Sequence, residues 1–281
     1  MTAFTVDTEL GRLHVEELEG HERAGAPVVL WHSMFVDSRS WGRLAPLLAD
    51  RDLFLVDAPS SGRSDPLAAP ADIAACARAA VAVVEAITAR TEVRDVDWLG
   101  TAWGGHVGMD LAASRPDLIR SLVAISAPTF PVPSALRAKV HLLLPLYRLI
   151  GARGPVRSAI VETLFTDATR RDDPGAVALV DDSLRRSGAA MITAIRTAIL
   201  NRTDLLPAAR RIVCPTLLIA TDDRGEWTQE QAQEAAHDMR DARVVSIADA
   251  RVIPALEKPR ATADAIMDFW AEVAGRVSSS A

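Results

Sequence analysis

The stretch with the clearest chemical signature is Gly100-Thr101-Ala102-Trp103-Gly104-Gly105, which follows an apolar run and opens a helical one. Glycines on both sides of an apex residue are typical of a strained strand-to-helix turn that lifts one side chain above the edge of a sheet. Such an apex carries Ser, Cys or Asp when it serves as a nucleophile. The apex here is Ala102, whose methyl group attacks nothing. The sequence therefore predicts the backbone of a nucleophile turn without the nucleophile.

Two titratable side chains near this turn are candidates for acid/base catalysis. His106 lies one helical turn beyond Ala102, where an imidazole can act as a general base or contact a ligand. The alternative for His106 is a packed helix histidine that bonds to a backbone carbonyl. Asp37, in the loop after an apolar run, is the best-placed carboxylate. The alternative for Asp37 is an N-cap of the helix predicted over residues 40–49.

Aromatic residues in the loops around the turn predict a hydrophobic pocket of the kind that binds small apolar molecules. Phe35, Trp103 and Trp227 are placed at its mouth. The other residues predicted to line or brace this pocket are His32, Ser33 and His141.

The elements that must position these residues form a strand–helix alternation. Apolar runs at 27–31, 53–57, 96–101, 118–125, 215–220 and 243–247 alternate with helical periods. This order specifies a parallel sheet with right-handed crossovers, and an alternating hairpin over residues 4–18 adds an antiparallel edge. From 131 to 206 the apolar residues recur only at helical spacing. We therefore predict a core formed by 1–130 and 207–281 with an inserted helical cap at 131–206.

With these segments in view, the chain resembles the α/β-hydrolase superfamily over nearly its whole length. The resemblance implies an α/β fold with a mostly parallel eight-stranded sheet, flanking helices and a cap. It also implies that the backbone amides of Met34 and Trp103 form an oxyanion hole. The segments that carry the resemblance are Pro27–His32, Val56–Ser64, Gly100–Gly105, Cys214–Ile219 and Pro254–Pro259.

The chain departs from this family at every position of the catalytic triad. The nucleophile position is Ala102, the imidazole position is Val252, and the commonest register places the acid on Arg224. Asp223 and Glu226 are alternative acids. An engineered Ser→Ala exchange would explain Ala102 alone. It would not explain the missing histidine, so the favoured interpretation is that an ordinary triad is absent.

Four functions remain open on these residues. The first is cofactor-free, non-hydrolytic chemistry of the lyase, isomerase or cyclase type on a hydrophobic carbonyl compound. The second is a non-catalytic relative that binds a small hydrophobic ligand or a protein partner. The third is hydrolysis by an activated water, and the fourth is an engineered variant of an ordinary hydrolase. The first is favoured because the turn and the cap are kept.

Composition limits the partners and the compartment. The 281 residues have a net charge of −6, which favours neither nucleic acid nor an anionic membrane as a partner. Cys76 and Cys214 form no spaced metal set, so we expect neither a metal nor a cofactor. The sequence shows no secretory signal and no apolar run long enough to span a membrane, which predicts a cytoplasmic protein. The edge hairpin and the cap both offer surfaces for a homodimer.

Overall fold

The computed structural model describes residues 2–23, 25–225 and 227–280. Within these residues the chain forms one sheet of eight strands in the order β1-β2-β4-β3-β5-β6-β7-β8. Strands β1 and β2 pair antiparallel, as do β2 and β4, and the remaining pairs are parallel. The strands are β1 (Thr2–Thr8), β2 (Gly11–Leu18), β3 (Val28–Trp31), β4 (Leu53–Val56), β5 (Val96–Thr101), β6 (Ile119–Ile125), β7 (Thr216–Thr221) and β8 (Ala242–Ile247).

Helices cover both faces of the sheet and also form the chain between β6 and β7. They are α1 (Ile73–Thr91), α2 (Trp103–Ser114), α3 (Ser134–Ile150), α4 (Gly154–Leu164), α5 (Asp167–Asp172), α6 (Pro174–Ser187), α7 (Ala190–Ile195), α8 (Leu206–Ala209), α9 (Gln229–His237), α10 (Pro254–Glu257) and α11 (Pro259–Ser280). A π-helical turn over Arg196–Leu200 continues α7. The predicted mostly parallel sheet with flanking helices is confirmed. Helices α3 to α7 and the π turn lie within the stretch that we predicted to form the cap.

The central strands are buried on both faces, as their continuous apolar sequences predict. All residues of β3, β4, β5 and β7 are buried. Trp31 of β3 stacks on Trp98 of β5, with ring centroids 5.7 Å apart. The parallel register of β3 and β5 places Trp31 opposite Gly100, so the loop after β3 and the turn after β5 leave the sheet at the same edge. That edge is where ligands bind in open α/β sheets.

One predicted helix is wrong. Residues 40–49, predicted as a single helix, form two short 3₁₀ helices at Ser38–Trp41 and Ala45–Leu48. Pro46 lies inside this segment and has no backbone N–H to donate, which disfavours a continuous α-helix. The structure also shows that none of the helices in its described residues combines the length and apolar character needed to cross a bilayer.

Candidate active site

The turn between β5 and α2 keeps the strained geometry that its glycines permit. Ala102 at the apex has φ 47° and ψ −105°, a conformation that costs a non-glycine residue about 1–3 kcal/mol. The approach of β3 to α2 excludes side chains at the flanking positions. A Cβ on Gly104 would lie 2.0 Å from the carbonyl oxygen of Trp31, and one on Gly100 would lie 2.2 Å from the backbone of Gly104. The turn therefore retains the geometry of a nucleophile elbow around an inert methyl group.

The two amides predicted to form an oxyanion hole belong to residues that line one cavity with Ala102. Trp103 is the first residue of α2, so its N–H lies at the positive end of the helix dipole. Met34 lies in the loop after β3 and is 6% exposed. Neither amide donates a hydrogen bond to another residue in the described part of the chain. Both amides therefore remain available to a ligand oxygen.

The cavity has a volume of about 110 Å³ and lies between the turn and the helices inserted after β6. An engineered cavity of about 150 Å³ holds benzene, so this one has room for a small, compact molecule. Its core side is formed by Ser33, Met34, Phe35, Ala102, Trp103, His106 and Val252. The side formed by the chain between β6 and β7 consists of Leu136, Lys139, Val140, Leu143, Ala159, Ile160, Thr163, Leu164, Ala198, Ile199 and Arg202.

His106 is the buried titratable group on the core side of this cavity, at 2% exposure. Its Nε2–H donates to the carbonyl oxygen of Pro128, 3.2 Å away, because that oxygen can only accept. Burial, reinforced by the positive charge of Arg202, lowers the pKa of His106 well below its usual 6.5. The imidazole is therefore neutral at pH 7. Its Nδ1 atom is buried without a hydrogen-bond partner among the described residues.

Asp37, the second catalytic candidate, is bound to other side chains and is absent from the cavity lining. It caps the first 3₁₀ helix by accepting from the backbone N–H of Arg39. Its Oδ2 accepts from the Arg39 guanidinium at 2.6 Å and from the Ser183 hydroxyl of α6 at 2.9 Å. Burial acts to raise the pKa of Asp37, but the Arg39 guanidinium, the nearby His32 and the Ser183 hydroxyl together outweigh it and hold the pKa below its usual value. The geometry of Asp37 is that of an anchor between the loop and α6.

Next to Val252, the predicted imidazole position, a buried arginine binds Asp223, one of the two alternative acids. Val252 contributes an apolar wall to the cavity. The neighbouring Arg251 is buried and donates to the Asp223 carboxylate at 2.9 Å and to the Asp223 carbonyl at 3.1 Å. A third bond runs from Arg251 to the carbonyl oxygen of Glu162 in α4. Asp223 is thus held by a guanidinium, whereas the acid of a triad binds an imidazole.

Arg224, the position given by the commonest register of the acid, is solvent-exposed. Its guanidinium pairs with Asp167 at 3.0 Å and with Asp223 at 3.3 Å. Arg224 does not line the cavity. Glu226, the other alternative acid, lies outside the described residues.

The structure brings some of the predicted pocket residues together and separates others. Ser33 and Phe35 line the cavity, whereas His32, Trp227 and His141 do not. His32 is buried behind the loop, where its Nδ1–H donates to the Ser33 carbonyl at 2.6 Å and its Nε2 accepts from the Ala58 amide at 2.9 Å. Trp227 is buried elsewhere in the core, and His141 is exposed on α3.

The cavity residues that the sequence reasoning missed come from the helices inserted between β6 and β7 and from the residues just after the π turn. Lys139 of α3 and Arg202, just after the π turn, place cationic side chains at the cavity wall. Arg202 is 4% exposed. Helical spacing predicted helix α3, which contains Lys139, and the helical segment that ends just before Arg202. It gave no signal of which helix face turns towards Ala102.

The strand order, the elbow turn and the flanking helices define a protein of the α/β-hydrolase fold. The model of the alpha/beta hydrolase family matches residues 28–265. The chain therefore belongs to the alpha/beta hydrolase family.

A similar protein from Pseudomonas savastanoi pv. phaseolicola, provisionally named carbamate hydrolase RutD, is 30% identical over 246 residues. The match covers 82% of this chain and 88% of that protein. Among solved structures, a thermophilic esterase from Thermogutta terrifontis has a TM-score of 0.85 at 19% identity, with 97% of this chain and 99% of that chain covered. The enol-lactonase from Burkholderia xenovorans LB400 has a TM-score of 0.83 at 21% identity, with 95% and 100% covered. At these identities the two structures show the fold alone.

Proposed function

We propose that this chain catalyses cofactor-free proton transfer on a small hydrophobic carbonyl compound, as in a lyase, isomerase or cyclase reaction. The observation that carries this proposal is that the residues of two available amides, Met34 and Trp103, share one cavity with the neutral His106. Removal of a proton next to a carbonyl group places negative charge on the oxygen. Two preorganised N–H donors stabilise that charge without a nucleophile.

His106 is the base in this proposal. Its Nε2–H is held by Pro128, which fixes the tautomer and leaves the lone pair on Nδ1 to accept a proton. The low pKa keeps that lone pair free at neutral pH but makes the imidazole a weak base. The substrate must therefore have an acidic C–H bond, such as one beside a carbonyl group, whose enolate oxygen the amides then bind.

Hydrolysis by a water molecule that His106 activates is the second candidate function. It is favoured by the 30% identical relative whose provisional name is carbamate hydrolase. A carbamate also presents a carbonyl oxygen to the two amides, and direct attack by water bypasses Ala102. Both candidates depend on the same imidazole, so one pair of assays separates them.

The test compares the wild type with His106→Gln in two reactions. The first is deuterium exchange at the α-carbon of cyclohexanone in D₂O, followed by NMR, and the second is hydrolysis of ethyl carbamate. We expect the wild type to catalyse exchange, and His106→Gln to reduce it by about 100-fold or more. The exposed His141 provides the matched control, because His141→Gln alters the same residue type outside the cavity.

The pH dependence checks the identity of the base. A base must be deprotonated to act, so the exchange rate should stay level through neutral pH and fall only as pH drops through the pKa of His106, below 6.5. Exchange that survives His106→Gln would rule out this assignment. Carbamate hydrolysis that depends on His106, without exchange, would support the second candidate. Saturable ligand binding without either reaction would indicate a binding protein.

A further inference from the structure

Helix α3, which roofs the cavity with its inner face, presents an apolar outer face to solvent. Leu142 and Leu149 are 77% and 82% exposed. Ala135, Ala138 and Pro145 are exposed on the same face, because the five positions follow one another at spacings of three and four. Single exposed leucines are common on protein surfaces, but a continuous apolar face on one helix indicates an interaction surface.

Apart from Tyr147, the ionisable residues of this helix are all basic. Arg137, Lys139, His141 and Arg148 lie on α3, and the helix contains no Asp or Glu. Lys139, His141 and Arg148 are exposed, and helical spacing places them at the edges of the apolar face. A helix with an apolar centre and basic edges is typical of segments that lie on the surface of an anionic bilayer.

A basic depression continues this surface beyond the end of α3. It has a volume of about 670 Å³ and lies beside Leu149, and its arginines are Arg148, Arg153, Arg157 and Arg185. The carboxylate in its lining, Asp181, is already held by Arg157 through bonds of 2.6 and 2.7 Å. Arg185 pairs with Asp182 of the same helix, so Arg148 and Arg153 carry the positive charge that remains here, although the whole chain has a net charge of −6.

We propose that the outer face of α3 and this depression bind the surface of an anionic lipid bilayer. Leu142 and Leu149 enter the boundary between headgroups and acyl chains, and the arginines bind the lipid phosphates. Two copies of the chain that met along this face would bring its basic edges together, which opposes self-association. The net charge predicted no membrane partner, but the local distribution of charge decides which surface a helix meets.

The experiment measures co-sedimentation of the full chain with lipid vesicles. One set contains phosphatidylcholine alone, and the other contains equal parts of phosphatidylcholine and phosphatidylglycerol. We expect binding to the anionic vesicles and a large loss at about 1 M salt, where the screening length falls to about 3 Å. Leu142→Glu combined with Leu149→Glu should lower the coefficient for partition onto the anionic vesicles by about tenfold or more, because both apolar contacts are lost.

Two further variants complete the design. Arg148→Glu combined with Arg153→Glu should also lower binding by about tenfold or more through charge reversal. Val213→Glu is the matched control, since Val213 is an apolar residue, 48% exposed, on the segment before β7. All of these side chains are exposed, so the variants should keep the circular dichroism spectrum of the wild type.

Three outcomes would overturn the proposal. The first is a wild type that does not sediment with anionic vesicles. The second is a double leucine variant that binds them as well as Val213→Glu does. The third is a wild-type dimer in sedimentation velocity that the double leucine variant converts to a monomer, because the face would then join two copies of the chain.

Discussion

Arg251 is the residue that determines the surroundings of Asp223, one of the two acids that the sequence offered as alternatives. A guanidinium buried beside Val252 binds both the carboxylate and the backbone of Asp223. Its third bond, to Glu162, joins this loop to α4. An imidazole at position 252 would have to compete with Arg251 for the Asp223 carboxylate, because that carboxylate already accepts a hydrogen bond from a charged donor. Ala102 and Val252 thus occur in a structure where the carboxylate of Asp223 is bound by a guanidinium.

The first prediction concerns ester hydrolysis by variants in which a catalytic triad is introduced. The double variant Ala102→Ser with Val252→His should show little activity towards a 4-nitrophenyl ester with a short acyl chain, because Asp223 stays bound to Arg251. Adding Arg251→Gly frees the carboxylate to orient the new imidazole. We expect this triple variant to hydrolyse the ester at least about tenfold faster than the double variant. The control is Val252→His with Arg251→Gly on the Ala102 background, which lacks the nucleophile and should remain inactive.

The motif spacing could predict where the triad positions fall but could not predict their contacts. Ala102, Val252 and the loop containing Asp223 were placed by short segments that have a fixed order in the family. The contact of Asp37 with Ser183 could not be predicted, because the two residues are 146 positions apart along the chain. The low pKa of His106 was equally hidden, since it depends on burial and on Arg202, which the fold brings near.

Among the elements, the first 3₁₀ helix and α6 form a latch between the core and the inserted helices. Asp37 caps the 3₁₀ helix and accepts a hydrogen bond from Ser183 of α6. Arg39 extends the contact to Asp182 in α6, with a nitrogen–oxygen distance of 2.5 Å. Asp37 is 1% exposed, so its charge depends on these partners rather than on water. The latch therefore ties α6 to the segment that follows Met34.

A second prediction concerns this latch. Asp37→Asn keeps the size and capping ability of the side chain but removes the charge that binds Arg39. We expect the free energy of unfolding in urea to fall by about 1–3 kcal/mol, the range for hydrogen bonds to charged groups. Amides of α6 should exchange with deuterium faster than those of α2. Asp117→Asn is the control, because the Arg115–Asp117 pair is exposed and should contribute less than about 1 kcal/mol. Equal losses in the two variants would contradict the latch.

The sequence predicted most elements because their patterns are local. Continuous apolar runs gave the central strands, and the period of 3.6 gave helices between β6 and β7. The two 3₁₀ helices were missed because the prediction relied on the spacing of apolar residues. That spacing takes no account of Pro46, which has no backbone N–H to donate. The outer face of α3 was missed for another reason. A helix with apolar residues on both faces looks buried in sequence, and only the neighbouring elements decide which face is covered.

At the scale of the whole molecule, the inserted helices and the sheet are tied together at separate places. One is the latch at Asp37, and another is the bond from Arg251 to Glu162. A third is the pair of Arg43 with Asp173 at the start of α6. The buried hydrophobic residues of both parts form one continuous cluster. Two regions that share a core and several polar links should unfold as one unit.

The positions of the tryptophans make it possible to measure whether the inserted helices and the core unfold together. The six tryptophans all lie outside the inserted segment, at Trp31, Trp41, Trp98, Trp103, Trp227 and Trp270. Tryptophan fluorescence therefore reports the core, whereas far-ultraviolet circular dichroism reports the helices of both parts. We predict that thermal unfolding of the wild type gives the same midpoint with both probes.

The double variant Asp37→Ala with Arg251→Ala tests the cause of that agreement. It removes two of the polar links while leaving the tryptophans in place, so the inserted helices should melt first. Circular dichroism should then lose part of its amplitude several degrees below the fluorescence transition, since about 1 kcal/mol shifts the midpoint of a chain this size by about 2–4 °C. A variant whose two transitions still coincide would show that the shared apolar core alone couples the parts. Transitions that already differ in the wild type would show that the cap opens independently of the sheet.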